Sequence, residues 1–327
     1  MTSSVSKRKL LHYRKATFLK PIGRSLQECL EDALAKQTPV KLRFRDLSND
    51  PQDEDGWRQF INTHRTALGM EFGNLVLYAP DQNKQVLALD ENADELDIRQ
   101  LSPPPSRDGL KNQFLESILY YGIRESHVIL LQSVAMRARD FEAYLNWLLR
   151  SAGIFDENNA IFLNNYAPQV TRETLEHSEV KSVRIGTALT DATLYEAPSD
   201  VTRTRFRAFG EGIEVLRTIM PERMKDLTWA DLSASNNLEV FVEVTYKRQT
   251  DSSSQAALNK IASALRHVSD DDIRIELKGG TTVVGSQLQV KNYINVDTYG
   301  GVVDPADLFS RMSDWLVQIL EDGIIEA

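Results

Sequence analysis

A strict two-residue alternation in the last third of the sequence constrains this chain more than any other feature. In "LEVFVEVTYKR", Leu238, Val240, Val242, Val244 and Tyr246 fall on one side of an extended backbone, and Glu239, Glu243, Thr245 and Lys247 on the other. Successive strand side chains point to opposite faces, so this pattern predicts a strand with one apolar and one wetted face. Past a serine-rich turn, Leu258, Ile261, Ala262, Leu265 and Val268 recur at helical spacing. "IRIELKGG" and "LQVKNYINVD" then alternate again. Asp304-Pro305 offers an N-cap and a first-turn proline to a last helix. Its apolar face is Leu308, Met312, Trp315, Leu316, Ile319 and Leu320. The result is a β-α-β-β-α unit. Sheets with one wet face are mostly antiparallel, which predicts an α+β protein of mixed, mainly antiparallel sheets with flanking helices.

Upstream, residues 9–19 predict a strand. "SLQECLEDALAKQ" opens with Ser25 and Glu28 at capping-box spacing and places Leu26, Cys29, Leu30, Ala33 and Leu34 on one helical face. Pro39 ends that helix, and "VKLRFR" reads as the next strand. "DLSNDPQDEDG" is a polar break, followed by short strands at "NLVLYA" and "QVLALD". The three prolines of "LSPPPSRDG" stop helix and sheet alike. "ESILYYGIRESHVILLQS" suits a hairpin, and "DFEAYLNWLLRSAG" a helix capped by Asp140 and closed at Gly153. "TRETLEHSEV", "VKSVRIGTAL" and "GEGIEVLRTIM" mix helix and strand patterns in a middle unit. With 327 residues, the chain is long enough for two domains or for one large core with an insertion, and a two-domain chain is expected. Its regions are 1–155, a middle unit 156–235, and the C-terminal unit 236–327, which can pack with the first.

Several classes are excluded by what is missing. Apolar runs such as "VILLQSVAM" fall far short of the roughly 20 residues that span a bilayer. The basic N-terminus has no apolar segment behind it, so no secretory signal is expected. The single cysteine, Cys29, cannot form an internal disulfide, and its place on an apolar helix face reads as core rather than nucleophile. A cytoplasmic location is the expectation. There is no phosphate-binding glycine loop, no dinucleotide glycine pattern and no close His or Cys pair. His12, His64, His127, His177 and His267 are scattered, so neither metal nor cofactor is expected.

Charge is the remaining signal. The chain carries a net −9, yet residues 1–24 hold seven Lys/Arg and no Asp/Glu. Residues 46–104 hold 12 acidic against 4 basic residues. Such asymmetry points to an anionic partner for the basic part, against the plainer reading of a solvated surface. The candidate phosphate contacts are Lys7, Arg8, Lys9, Arg14 and Lys15 near the N-terminus, and Lys247 and Arg248 at the end of the alternating strand. Lys260 and Arg266 on the following helix join them, as do Arg203, Arg205 and Arg207, which alternate around Phe206 in "RTRFRAF". Cations of this kind neutralise phosphates without reading sequence, which predicts binding to the backbone of double-stranded DNA. The plainer reading of Lys247 and Arg248 is that they blunt an exposed sheet end.

Two nuclease readings compete. Arg172 and His177 in "RETLEH" resemble the Arg-x4-6-His motif of HEPN ribonucleases, which would make the chain an RNA-cleaving effector; HEPN folds, however, are all-helical. Glu243 and Lys247 echo a metal-dependent nuclease strand but lack its acid-x-Lys spacing. A third alternative is an acidic protein-interaction subunit presenting residues 46–104.

The order of segments resembles the Rex-type (RexA-like) phage-exclusion family. The resemblance is carried by "HYRKATF" leading to a capped helix, by "ILYYGIRESHVILLQSVAMRARDFEAYLNWLL", and by "LEVFVEVTYKR" followed by a helix and then "IRIELKGG". It implies a non-catalytic homodimer with a two-domain fold similar to the recombination-associated RdgC proteins. Such a protein binds DNA without sequence preference and triggers a membrane effector protein encoded alongside it, in antiviral defence by abortive infection.

Overall fold

The computed structural model of the chain describes residues 4–47, 56–88, 97–105, 111–178, 180–188, 190–193, 206–209, 239–245 and 273–326. In chain order, β1 (Val5–Phe18) leads to α1 (Leu26–Lys36), a 3-10 turn, and β2 (Arg45–Asp46). Next come β3 (Arg58–Ala67), β4 (Met70–Tyr78), β5 (Lys84–Ala88), β6 (Asp97–Leu101), β7 (Leu115–Arg124) and β8 (His127–Leu131). They are followed by α2 (Ala138–Ser151), β9 (Ile161–Asn164), α3 (Gln169–His177), β10 (Val180–Ala188), β11 (Thr190–Thr193) and β12 (Phe206–Phe209). The last elements are β13 (Glu239–Thr245), β14 (Ile273–Leu277), β15 (Thr282–Val284), β16 (Lys291–Tyr299), β17 (Val302–Val303) and α4 (Pro305–Glu321). Every strand pairing among the described residues is antiparallel, and the protein is α+β.

The chain divides into two compact units. The first joins Met1–Tyr166 to Gln289–Ala327, and the second is Ala167–Leu288. The first is built on a nine-stranded sheet ordered β17-β16-β1-β8-β7-β4-β3-β2, with β9 also on β1. Both faces of its middle are covered. Leu75, Leu119, Tyr121, Ile123, Val128 and Leu130 pack with α1 and α2. The alternate residues Phe72, Tyr120, Ile129 and Leu131, with Leu11 and Tyr13 of β1, pack with α4. Two-sided cover explains why "HVILL" is a continuous run, with all five residues of β8 buried, rather than an alternating one.

The helices start where their caps dictate. At α1, Ser25 Oγ accepts from the Glu28 amide at 3.2 Å, and the Glu28 carboxylate accepts from the Ser25 amide at 2.7 Å. Cys29 is fully buried on the predicted face, and burial pushes its thiol pKa up. At α4, Asp304 accepts from the Ala306 amide at 2.9 Å, with Pro305 in the first turn.

Three local expectations change. The stretch "VKLRFR" is a 3-10 turn over Val40–Arg43, because the Tyr144 hydroxyl donates to the Arg43 carbonyl at 2.9 Å and withdraws it from a ladder. Asp140 is not the N-cap of α2 but its third residue, accepting from the Arg137 amide at 2.7 Å, so the helix begins at Ala138. The stretch 236–327 does not stay together. β13, β14 and β15 lie with β10 in a four-stranded sheet of the second unit, while β16 pairs with β1 from Val5↔Thr298 to His12↔Lys291. At 14 residues β1 is far longer than β8, and on its other edge β16 and β9 take the ladder. The expected breaks at 155/156 and 235/236 thus differ from the observed ones, near 166 and 289.

Candidate nucleic-acid interface

Alternation along β1 divides its five cations between the two faces of the sheet. Lys7, Lys9 and Lys15 share the face of Leu11 and Tyr13, and Arg8 and Arg14 lie on the opposite one. Lys7 and Arg8 are exposed, Lys9 and Lys15 half-buried, and Arg14 buried. One continuous phosphate track along a single face is therefore not what the strand presents. It offers an exposed basic end and a buried basic interior.

At the exposed end, the Arg8 guanidinium lies 3.9 Å from the centroid of the Tyr293 ring of β16, itself 55% exposed. Cation–π contact of this kind holds a guanidinium in place while leaving its N–H groups open to an anion. Deeper in the strand, Lys15 and Tyr13 converge on His127, opposite Lys15 in the β1–β8 register. Lys15 Nζ is 3.1 Å from His127 Nε2, and the Tyr13 hydroxyl is 2.8 Å from Nδ1. An ammonium only donates, which assigns Nε2 as acceptor and Nδ1–H as donor to Tyr13. Burial first, then Lys15 and Arg124, hold the His127 pKa down at about 4, so this imidazole is neutral. Lys15 is thereby committed to the core.

Arg14 is 5% exposed, and its guanidinium makes a 2.8 Å bond from Nη1 to the Tyr13 carbonyl, while Nε has no partner. No carboxylate pairs with it among the described residues, and burial alone pulls its pKa down to about 10. Two residues back on the same face is His12, with Nδ1 buried and unbonded. Burial first, then Arg14, Lys291 and Arg137, lower the His12 pKa to about 4. The Gln289 side chain comes near enough to favour the charged ring without completing a hydrogen bond. Lys291 is His12's register partner across β16, and the exposed Arg137 precedes α2. This cluster carries four basic groups. Sequence alone singles out only Arg14 among them, because His12 and Lys291 meet through a pairing some 280 positions apart.

A second buried polar group lies under α1 and α2. Glu71 is 1% exposed, accepts from Thr66 Oγ1 at 2.8 Å, and has its pKa raised to about 7, chiefly by burial. His64 Nδ1 lies 3.4 Å from Glu71 Oε1 without completing a hydrogen bond. Burial and then Arg43 lower the His64 pKa. Both shifts favour the neutral forms, which works against an ion pair between the two side chains. No group of three or more His, Cys, Asp or Glu side chains able to hold a metal occurs among the described residues.

Lys247, Arg248, Lys260, Arg266, Arg203 and Arg205 lie outside the described residues. Arg207 falls in β12, whose backbone pairs it with Ala192 of β11. The strand that runs toward Lys247, β13, is at the end of the four-stranded order β13-β10-β14-β15. Arg172 and His177 both lie on α3, about 140° apart around the helix at 100° per residue. His177 Nδ1 is 2.8 Å from the Glu173 carbonyl of its own helix.

Together these observations describe an antiparallel α+β protein with a basic strand at the centre of its larger sheet. No family model matches the chain. No curated protein matches it either. No helix among the described residues is long and apolar enough to cross a membrane.

Proposed function

We propose that the chain is a DNA-binding sensor without sequence preference, acting in phage exclusion or a related antiviral defence. The observation that carries this is β1: five Lys/Arg and no carboxylate in 14 residues of an otherwise acidic chain, with Lys7 and Arg8 exposed at its open end. Cations in that setting bind phosphate through charge and released counterions, which requires no base contact. The Rex-type resemblance supports the same reading. It adds a non-catalytic homodimer that signals to a membrane effector encoded beside it, and we place the chain in the cytoplasm. Lys247 and Arg248 add basic groups from the second unit, and the acidic stretch 46–104 confines DNA to the basic groups by repelling it elsewhere.

The test is a mobility shift with random double-stranded DNA across a salt series. For the wild type, affinity should fall steeply with salt. The Lys7→Ala/Arg8→Ala/Lys9→Ala protein should bind more weakly, with a log–log salt slope shallower by about 2–3, since each phosphate left without its cation removes about 0.9 from the slope. No shift for the wild type at low salt, or a slope untouched by the triple substitution, would overturn the assignment.

A further inference from the structure

We infer that Arg14, His12, Lys291 and Arg137 form a binding site for a phosphate group, with Arg14 at its floor. A guanidinium taken out of water without a carboxylate to meet it is among the most unfavourable groups a core can hold, and folded chains pair such charges or give them a ligand. Arg14 is 5% exposed, and among the described residues it bonds only the Tyr13 carbonyl and keeps Nε unpartnered. A simple structural arginine would be expected to find an acid. Instead its surroundings are basic: His12 two positions back on the same face, Lys291 beside His12, and Arg137 at the start of α2. Arg14, Lys291 and Arg137 all act on the His12 ring, and Nδ1 of that ring is a second buried polar atom with no partner among the described residues.

The local topology makes the site accessible. β1 changes neighbours at this point, because β16 pairs with it up to His12 and β9 from Lys15 onward. Tyr13 and Arg14 therefore sit where β1 passes from one partner strand to the other, and there the Tyr13 amide donates to the Val290 carbonyl at 2.9 Å. His12 and Lys291 are half-buried and Arg137 is exposed, so the cluster grades from a closed floor to an open rim. A planar guanidinium offering N–H donors, with further cations around it, matches the tetrahedral oxygens and the charge of a phosphate. That phosphate can be free or part of a nucleic-acid backbone. The site is distinct from the exposed end that carries the DNA-binding reading: Lys7 and Lys9 lie on the opposite face of β1, and Arg8, on the same face, is six positions from Arg14.

The experiment uses the full chain and inorganic phosphate, with sodium chloride of matched ionic strength as reference. Thermal unfolding of the wild type should shift upward with phosphate concentration beyond the chloride control, as for any ligand that binds only the folded state. Arg14→Met should unfold at a higher temperature than wild type without phosphate, because an unpaired buried charge has gone, and should lose the phosphate-dependent shift. Should Arg14→Met fail to fold, Arg137→Gln and Lys291→Gln, which change the rim alone, should each weaken the phosphate dependence about 10-fold. Equal melting in phosphate and chloride would overturn the site, as would an undiminished phosphate shift in these variants. A random duplex added to the phosphate-bound protein then separates the two sources. If it displaces phosphate, the site takes a backbone phosphate. If not, it takes a free one, and in either case the site stands. Phosphate binding together with a failed mobility shift would keep this site and remove the DNA-binding function.

Discussion

Glu71 illustrates how far a single residue's behaviour departs from its type. Its position in "GMEFGNLVLY" looks like a polar residue in a strand, yet α1 and α2 close over that face and leave it 1% exposed. The raised pKa of about 7 means the folded state holds a proton that the unfolded chain releases near 4.5. Its contribution to stability is therefore fully present below about pH 4.5, and is lost as pH rises through 7, by about 3 kcal/mol in total. Glu71→Gln should flatten this part of the pH–stability curve and raise stability at pH 8, as read by urea unfolding at a series of pH values. An unchanged slope between pH 5 and 7 would refute the assignment. Cys29, by contrast, was legible from its spacing alone, because an apolar helix face has one destination. Glu71 and Arg14 were not, because nothing adjacent in sequence says what will cover a polar side chain.

Elements meet through particular close approaches, and the tightest in the large sheet is between β4 and β7. Gly73 lies opposite Tyr121, and a Cβ added there would collide with the Tyr121 hydroxyl and the Thr63 carbonyl. Gly73→Ala should destabilise the protein by about 2 kcal/mol, the cost of overpacking a strand interior. Tyr121→Phe alone should cost little, since the buried hydroxyl has no hydrogen-bond partner in the structure. The double variant should recover only the hydroxyl's share, because the ring carbon Cζ and the Thr63 carbonyl still stand in the way of the new Cβ, and the cycle measures that share. Strict additivity would show that the Tyr121 hydroxyl takes no share in the clash. The helices were predictable at this scale because caps and apolar faces are local signals. Strand order was not, because hydrogen-bonded ladders join segments far apart in the chain.

At the scale of the molecule, the N-terminal half of the chain and its C-terminal segment build one sheet. β1 and β16 exchange a ladder of eight residue pairs, and the ring of Tyr166 meets that of Tyr13 edge-on at 5.7 Å, while Val290 bonds the Tyr13 amide. The points where the chain leaves the first unit and returns to it are thus both anchored at Tyr13. Replacing 167–288 with a short Gly/Ser linker should leave residues 1–166 and 289–327 folded, with cooperative thermal unfolding and native far-UV circular dichroism. A chain ending at 288 should fail to fold, since β1 loses β16 and the α4 face of the sheet is bared. A cooperative fold in that truncated chain would show that the first unit does not need its C-terminal segment.

Sequence alone determined the class of this protein and most of its pieces. Antiparallel α+β followed from two-residue alternation, α1 and α4 from their caps and apolar faces, and the β7–β8 hairpin from two apolar runs around a short turn. These signals are written in neighbouring residues and survive without knowledge of the rest of the chain. Tertiary structure alone decided that β16 and α4 join the N-terminal strand, that Arg14 is buried while Arg8 on the same face is exposed, and that Lys291 lies across the ladder from His12. The physical reason is the same in each case. Burial and charge environment depend on which strand lies alongside and which helix lies above, and those partners come from anywhere in the chain.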